Sequence, residues 1–255
     1  MMEKKQTYKS LLRYPGGKSR AINQLFKHVP DSVNTICSPF LGGASFELFL
    51  TSKGIEVYGY DAFEPLVNFW RNALDNPNNM VDVVQNNYPI SKEEFYSIRK
   101  NYEMVDNSTK KAAMFYILNR ASFSGSTMSG GMSPNHPRFT QSSIDRLKVF
   151  SNDHISVECK DFKDSILSHP QDFLYLDPPY AINSNLYGNK GDMHKTFDHE
   201  ELFKILNGRD NWVLSYNNSE YVTDLYDEYD IFYPDWKYGM SKDKDSKEVI
   251  IVNNG

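Results

Sequence analysis

Phe173-Leu174-Tyr175-Leu176-Asp177-Pro178-Pro179-Tyr180 is the stretch on which the fold turns. Four apolar residues end at an aspartate, and two prolines then forbid a helix or a further sheet ladder. A short apolar run bounded in this way predicts a buried strand over 173–176. An aspartate at its carboxyl end stands where open α/β sheets collect their ligands. The prolines remove two backbone donors and leave carbonyls as acceptors only, while Tyr180 offers a flat face for stacking. Taken alone, the tetrapeptide is a proline turn after a core strand. Taken as a site it suits an aromatic amine, whose hydrogens Asp177 and the Pro178 carbonyl would accept while Tyr180 holds the ring.

Working outward toward the N-terminus, the pattern predicts a helix over 19–27, a strand over 33–37, a helix over 44–50 and a strand over 57–60 that ends in Asp61. Between the first strand and the second helix lies Phe40-Leu41-Gly42-Gly43-Ala44, whose small residues let a nucleotide-like ligand approach the backbone. Asp61 is placed to accept hydrogen bonds from ribose hydroxyls. GxGxxG spacing is missing, so these residues leave dinucleotide and adenosine ligands both open. Tyr14-Pro15-Gly16-Gly17-Lys18 resembles a phosphate loop, but it lacks GxxxxGK[ST] spacing and precedes the first strand. Lys18 is expected instead near the cofactor region or against neighbouring acidic groups.

Alternation returns late in the chain, with strands predicted over 155–158, 212–216 and 247–252 and helices over 199–206 and 219–226. Residues 63–120 read as mainly helical, with Phe95 and Ile98, and Ala113, Tyr116 and Ile117, at helix spacing. Residues 121–140 are rich in Ser, Gly, Met, Asn and Pro, a long connector that is either a functional loop or disorder. The sum is one α/β sheet domain, residues 1–62 and 151–255, interrupted by an insertion over 63–150.

The 255 residues are 40% hydrophobic and 24% charged, the composition of a globular protein, and no apolar run approaches the ~18 residues a bilayer crossing needs. The lysine-bearing N-terminus is not followed by an apolar core, so no secretory leader is expected. Cys37 and Cys159 match no zinc or redox spacing and read as reduced structural thiols; His194 and His199 lack a third clustered ligand, so no metal is expected. Net charge is −5, yet residues 1–30 carry seven Lys or Arg against one acidic residue, whereas residues 151–255 carry ten against twenty. A local basic patch is sufficient to engage phosphates.

In order and content these segments resemble the Dam-like, D12-class adenine-specific DNA methyltransferases of the alpha arrangement: Tyr14 to Lys18 first, Phe40 to Gly43, Asp61, an inserted region with Asn119 to Gly125, and Asp177 to Tyr180 last. The resemblance spans nearly the whole chain. It implies a Rossmann-like S-adenosylmethionine-dependent methyltransferase core with an inserted, mainly helical DNA-recognition domain. Tyr14, Gly17 and Lys18 would border the methyl donor, Phe40, Gly42 and Gly43 would pack beside it, Asp61 would hold its ribose, and Asp161 with Phe162 would meet its adenine ring. Asp177, Pro178 and Tyr180 take the catalytic and base-stacking roles. In the insertion, Arg120 would contact a phosphate, and Asn119, Ser122, Ser124, Asn135 and Arg138 would serve base edges or backbone.

Two departures stand out. Ala44-Ser45 follows the glycine pair where relatives often carry a third spaced glycine, and residues 124–140 do not resemble the basic hairpin of the GATC-reading enzymes, so no target sequence is implied. The implied reaction is direct displacement at the sulfonium-bound methyl by the exocyclic amine of an adenine flipped out of double-stranded DNA, with no covalent intermediate and no metal. A monomer acting inside a cell is expected, with a separately acting restriction endonuclease as a further partner. Methylation of RNA adenine or another planar amine is the alternative enzyme reading, and an inactive DNA-binding relative is the alternative outside catalysis.

Overall fold

The structure, a computed structural model, describes residues 9–133, 138–180, 197–234 and 248–255. Its centre is a seven-stranded sheet built from β1 (Thr35–Ser38), β2 (Glu56–Asp61), β3 (Ile155–Cys159), β4 (Phe173–Leu176), β5 (Trp212–Asn217), β6 (Asp230–Phe232) and β7 (Glu248–Asn253), in the order β3-β2-β1-β4-β5-β7-β6. The first five strands in that order run parallel, and β7 runs antiparallel to both its neighbours. Chain order therefore reverses between β1 and β4, opening a crevice at their carboxyl ends. This is a Rossmann-like α/β fold.

The strand-period pattern explains both faces. Phe173 and Tyr175 point to one side and Leu174 and Leu176 to the other; Val213 opposes Trp212 and Leu214, and Ile250 and Val252 oppose Val249 and Ile251. Burial on both faces is why β4 and β5 read as nearly continuous apolar runs. On the second face lie α8 (Phe162–Ser168), α9 (His199–Asn207) and α10 (Glu220–Leu225), which contribute Ile166, Leu202, Leu206 and Val222 to that core.

The first face is covered by α1 (Ile22–Phe26), α2 (Ser45–Thr51) and the helices between β2 and β3: α3 (Glu64–Asp75), α4 (Asn78–Asn86), α5 (Lys92–Asn101), α6 (Ser108–Ala121) and α7 (Gln141–Lys148). Helix α6 is buried without a break from Ala112 to Ala121, the signature of a helix packed on all sides. It is the axis of the block, with α3, α4 and α5 against it. Leu66, Phe69, Trp70 and Phe115 share one continuous core with Ile36, Val57 and Tyr175 of the sheet. Residues 63–150 are thus inserted topologically between adjacent strands, while packing runs across that boundary uninterrupted.

Most predicted elements lie within a residue or two of those observed. The first helix is shorter than the predicted 19–27, because residues 18–21 close a tight turn, with the Ala21 N–H donating to the Lys18 carbonyl. Helix α8 and strand β6 had no prediction: α8 buries only Ser165 and Ile166, and the exposed three-residue β6 carries no alternation to read.

Candidate active site

The turn after β1 carries its own strain. Gly42 and Ala44 both sit in the left-handed region, at φ 48° and 51°, a conformation glycine adopts freely and alanine does not. Tyr14 lies against the turn so closely that a Cβ on Gly43 would come within 2.8 Å of the Tyr14 Cβ. The Gly42 N–H donates to Asp61 Oδ2 at 3.0 Å, and the Gly42 carbonyl accepts from Trp70 Nε1 at 3.0 Å. Asp61 Oδ1 accepts from the Phe63 N–H at 2.9 Å. Burial pushes the Asp61 carboxyl up to about 6, against the pull of these two backbone donors.

At the end of β4 the arrangement is different. Lys18, only 3% exposed, places its ammonium 2.8 and 2.9 Å from the two Asp177 oxygens, 2.7 Å from the Tyr180 hydroxyl and 3.0 Å from the Gly16 carbonyl. Glu248 lies 3.6 Å from the same ammonium and accepts a hydrogen bond from the Tyr180 hydroxyl. Burial pushes the Asp177 carboxyl up to about 6; Lys18 opposes this and Glu248 adds to it. The Tyr180 ring stacks on Tyr216 at 6.1 Å and lies 5.1 Å from the Lys18 ammonium.

Both ends open into one cleft of about 940 Å³, its mouth included, lined by Tyr14, Gly17, Lys18, Phe40, Gly42, Gly43, Asp61, Asp161, Phe162, Asp177 and Pro178 among others. Every residue expected beside a methyl donor is therefore on one surface. Phe40, Phe162 and Phe197 converge there with ring centres 5.1–5.8 Å apart. Asp161 caps α8 by accepting from the Asp164 N–H at 2.9 Å. Glu47 also lines the cleft; it is buried, accepts from Ser38 Oγ at 2.7 Å, and is pushed up to about 8 by that burial.

The expected DNA contacts divide. Asn119, Arg120 and Ser122 lie inside the protein, which corrects their reading as groups that touch bases or phosphates. The physical reason is α6, whose last turn is enclosed on every side, so that its polar groups are satisfied internally. Asn119 accepts from the Arg13 N–H at 2.8 Å and donates to the Arg13 carbonyl at 2.7 Å and to Thr127 Oγ1 at 2.9 Å. Arg120 donates twice to the Arg138 carbonyl, and Ser122 Oγ accepts from the Thr127 N–H at 2.9 Å. They tie the polar segment to Leu11 and Arg13, next to residues 14–18 that line the cleft. Burial, with Arg146, Arg13 and Arg138 nearby, pulls the Arg120 guanidinium down to about 10. Ser124 is half-buried at φ 54°, Arg138 is exposed, and Asn135 lies outside the described residues.

Cys37 is buried and Cys159 exposed, both as free thiols. His199 bonds the Tyr216 hydroxyl, and His194 lies outside the described residues. Among the described residues no group of three or more His, Cys, Asp or Glu is placed to hold a metal, and no helix is long and apolar enough to cross a membrane.

Sequence reasoning missed Glu47, Phe197 and Glu248. Glu248 opens β7, and only the antiparallel direction of that strand puts it beside Asn217 at the carboxyl end of β5. A run of apolar residues announces a strand but carries no sign of its direction.

A parallel sheet with one reversed strand, β7, and an aspartate-proline turn beside a glycine turn at its switch point, define a methyltransferase of the Rossmann-like class. Residues 14–240 match the model of the D12 class N6 adenine-specific DNA methyltransferases, and the chain belongs to that family. It is similar to the type II methyltransferase M1.LlaDCHI of Lactococcus lactis subsp. cremoris, 21% identical across 91% of this chain and 89% of that one. It is also similar to the type II methyltransferase M.CviBI of Paramecium bursaria Chlorella virus NC1A, 20% identical with 87% of both chains covered, and to the DNA adenine methylase of Vibrio cholerae, 24% identical over 68% of this chain and 65% of that one. The chain spans 43% of the length of modification methylase StsI of Streptococcus sanguinis. The enzyme is an adenine-specific DNA methyltransferase.

Proposed function

We propose that the cleft takes S-adenosylmethionine and that Asp177, Pro178 and Tyr180 hold the exocyclic amine of an adenine flipped from double-stranded DNA. The observation that carries this is the convergence of Asp177 and the glycine turn on one cleft. The lining also supports one of the two ligand classes left open by the missing GxGxxG pattern. Three aspartates, Asp61, Asp161 and Asp177, line it beside Glu47, whose burial keeps it mainly protonated near neutral pH, and Lys18 is already engaged by Asp177. Such a surface repels a pyrophosphate and suits an adenosine ligand that carries positive charge.

When bound, the donor supplies a methyl group activated by its sulfonium. Asp61 stands where ribose hydroxyls would donate to it, and Phe40, Phe162 and Phe197 offer an apolar slot for a base. Asp177 and the Pro178 carbonyl accept the two amine hydrogens, which raises electron density on nitrogen, and Tyr180 stacks on the target ring. Ser124 and Arg138, in the segment tied to Arg13 through Asn119 and to Leu11 through Arg120, face DNA in this reading, and residues 63–150 serve target recognition. The chain works as a monomer inside a cell; its type II relatives support a separate endonuclease sharing the target.

Labelled donor incubated with unmethylated genomic DNA tests the assignment. Wild type is expected to label adenine in DNA, and Asp177→Ala to lose labelling while still binding donor. Labelling of RNA in place of DNA would favour the alternative substrate.

A further inference from the structure

In the structure Lys18 occupies both oxygens of Asp177, the same atoms that the methylation reading requires as acceptors for the adenine amine. An ammonium that bridges both oxygens takes the lone pairs facing it, so an amine entering from the same side gains both acceptor sites when the ammonium moves aside. Only a short movement separates it from a second buried carboxylate. Glu248 is 4% exposed and 3.6 Å from the Lys18 ammonium, so the shift closes this gap to an ordinary charge-assisted hydrogen bond of about 2.8 Å. Glu248 also accepts from the Tyr180 hydroxyl, to which Lys18 donates at 2.7 Å, so the three groups are already connected.

We infer that Glu248 is a positioning residue that draws the Lys18 ammonium off Asp177 when an adenine amine enters, and that keeps Tyr180 in place during the exchange. The inference rests on the methylation reading given above. No proton changes hands: the ammonium keeps its hydrogens and trades one carboxylate acceptor for another. Glu248 lies beyond residues 14–240, the part of the chain matched by the family model, so this device belongs to the present chain's last strand.

Among the described residues, the charged and titratable groups around Asp177 are Lys18 from the first loop, Glu47 from α2, Tyr180 from its own turn and Glu248 from β7. Removing one negative neighbour favours the ionised form of Asp177. The variant E248Q keeps the side-chain shape and an oxygen for the Tyr180 hydroxyl while discarding the charge. In the full-length protein, with S-adenosylmethionine and unmethylated genomic DNA, its single-turnover methylation rate is expected to fall roughly tenfold or more, with the donor dissociation constant within about twofold of wild type. The acid limb of its pH–rate profile is expected at lower pH than that of wild type, and E248D is expected to recover part of the rate. A rate within about twofold of wild type with an unmoved acid limb overturns the inference. So does an equal loss of donor binding and rate without a shift in the limb, which marks Glu248 as structural only. A wild-type chain silent on adenine DNA overturns the methylation reading and this role together; an active wild type with an indifferent E248Q overturns only the role of Glu248.

Discussion

Asp61 and Asp177 occupy equivalent places, each at or just beyond the carboxyl end of a parallel strand on one cleft, and burial pushes both up to about 6. Their partners differ in kind. Asp61 is held by the backbone N–H groups of Gly42 and Phe63, which cannot move without unmaking the turn. Asp177 is held by the end of a flexible lysine side chain. One carboxylate is therefore built into the frame, and the other is engaged by a partner that can be exchanged. A group that only holds a ligand benefits from the first arrangement; a group that must receive a reacting amine needs the second.

The largest expected effect separates the two directly. Asp177→Ala should lower methyl transfer by roughly 10²–10³-fold or more while donor affinity, read by calorimetry, stays near wild type. Asp61→Ala should do the reverse, weakening donor binding by about 10–100-fold through loss of charged hydrogen bonds and of the turn they brace. An unchanged donor dissociation constant in that variant would remove Asp61 from the ribose role. Ionised Asp177 is the competent acceptor, so kcat/KM should rise with pH and level off above about 6. A profile flat from pH 5 to 8 would refute that requirement. Gly43→Ala forces a Cβ to within 2.8 Å of Tyr14 and should cost about 1–3 kcal/mol in thermal unfolding. Ala44→Gly should be the mildest: relief of the left-handed strain, about 1–2 kcal/mol, is half offset by the about 0.5–1 kcal/mol that glycine's freedom costs, leaving a net gain of about 0.5–1 kcal/mol. A clear loss of stability there would mean that the alanine methyl packs better than its strain implies.

Much of this comparison was legible in the sequence, and the reason is local. The predicted strand over 173–176 coincides with β4, because an apolar run stopped by Asp-Pro-Pro has few other conformations available. Asp61 and the glycine turn were placed by the same logic of strand, turn and helix. What stayed hidden depended on contacts distant in sequence. Asn119, Arg120 and Ser122 look like surface recognition groups because polar side chains after a helix usually face water; here Arg13 and Thr127 enclose them. Ala44 gave no sign that it would occupy a left-handed position, since that follows from how the turn is pinned by Asp61 and Trp70. Glu248 is 71 residues from Asp177 along the chain, and their proximity arises from a strand reversal that no local pattern encodes.

Strand β7 lies between β5 and β6 although both precede it in sequence. During synthesis at about 5–20 residues per second, a chain that has emerged only through Phe232 has a gap in the middle of one half of its sheet and lacks Glu248. The acceptor cluster of Lys18, Asp177, Tyr180 and Glu248 cannot assemble until that gap is filled. Maturation of the enzyme is therefore tied to a late, long-range insertion step, and competence to modify DNA should appear together with protection of the β5 and β7 amides from hydrogen exchange.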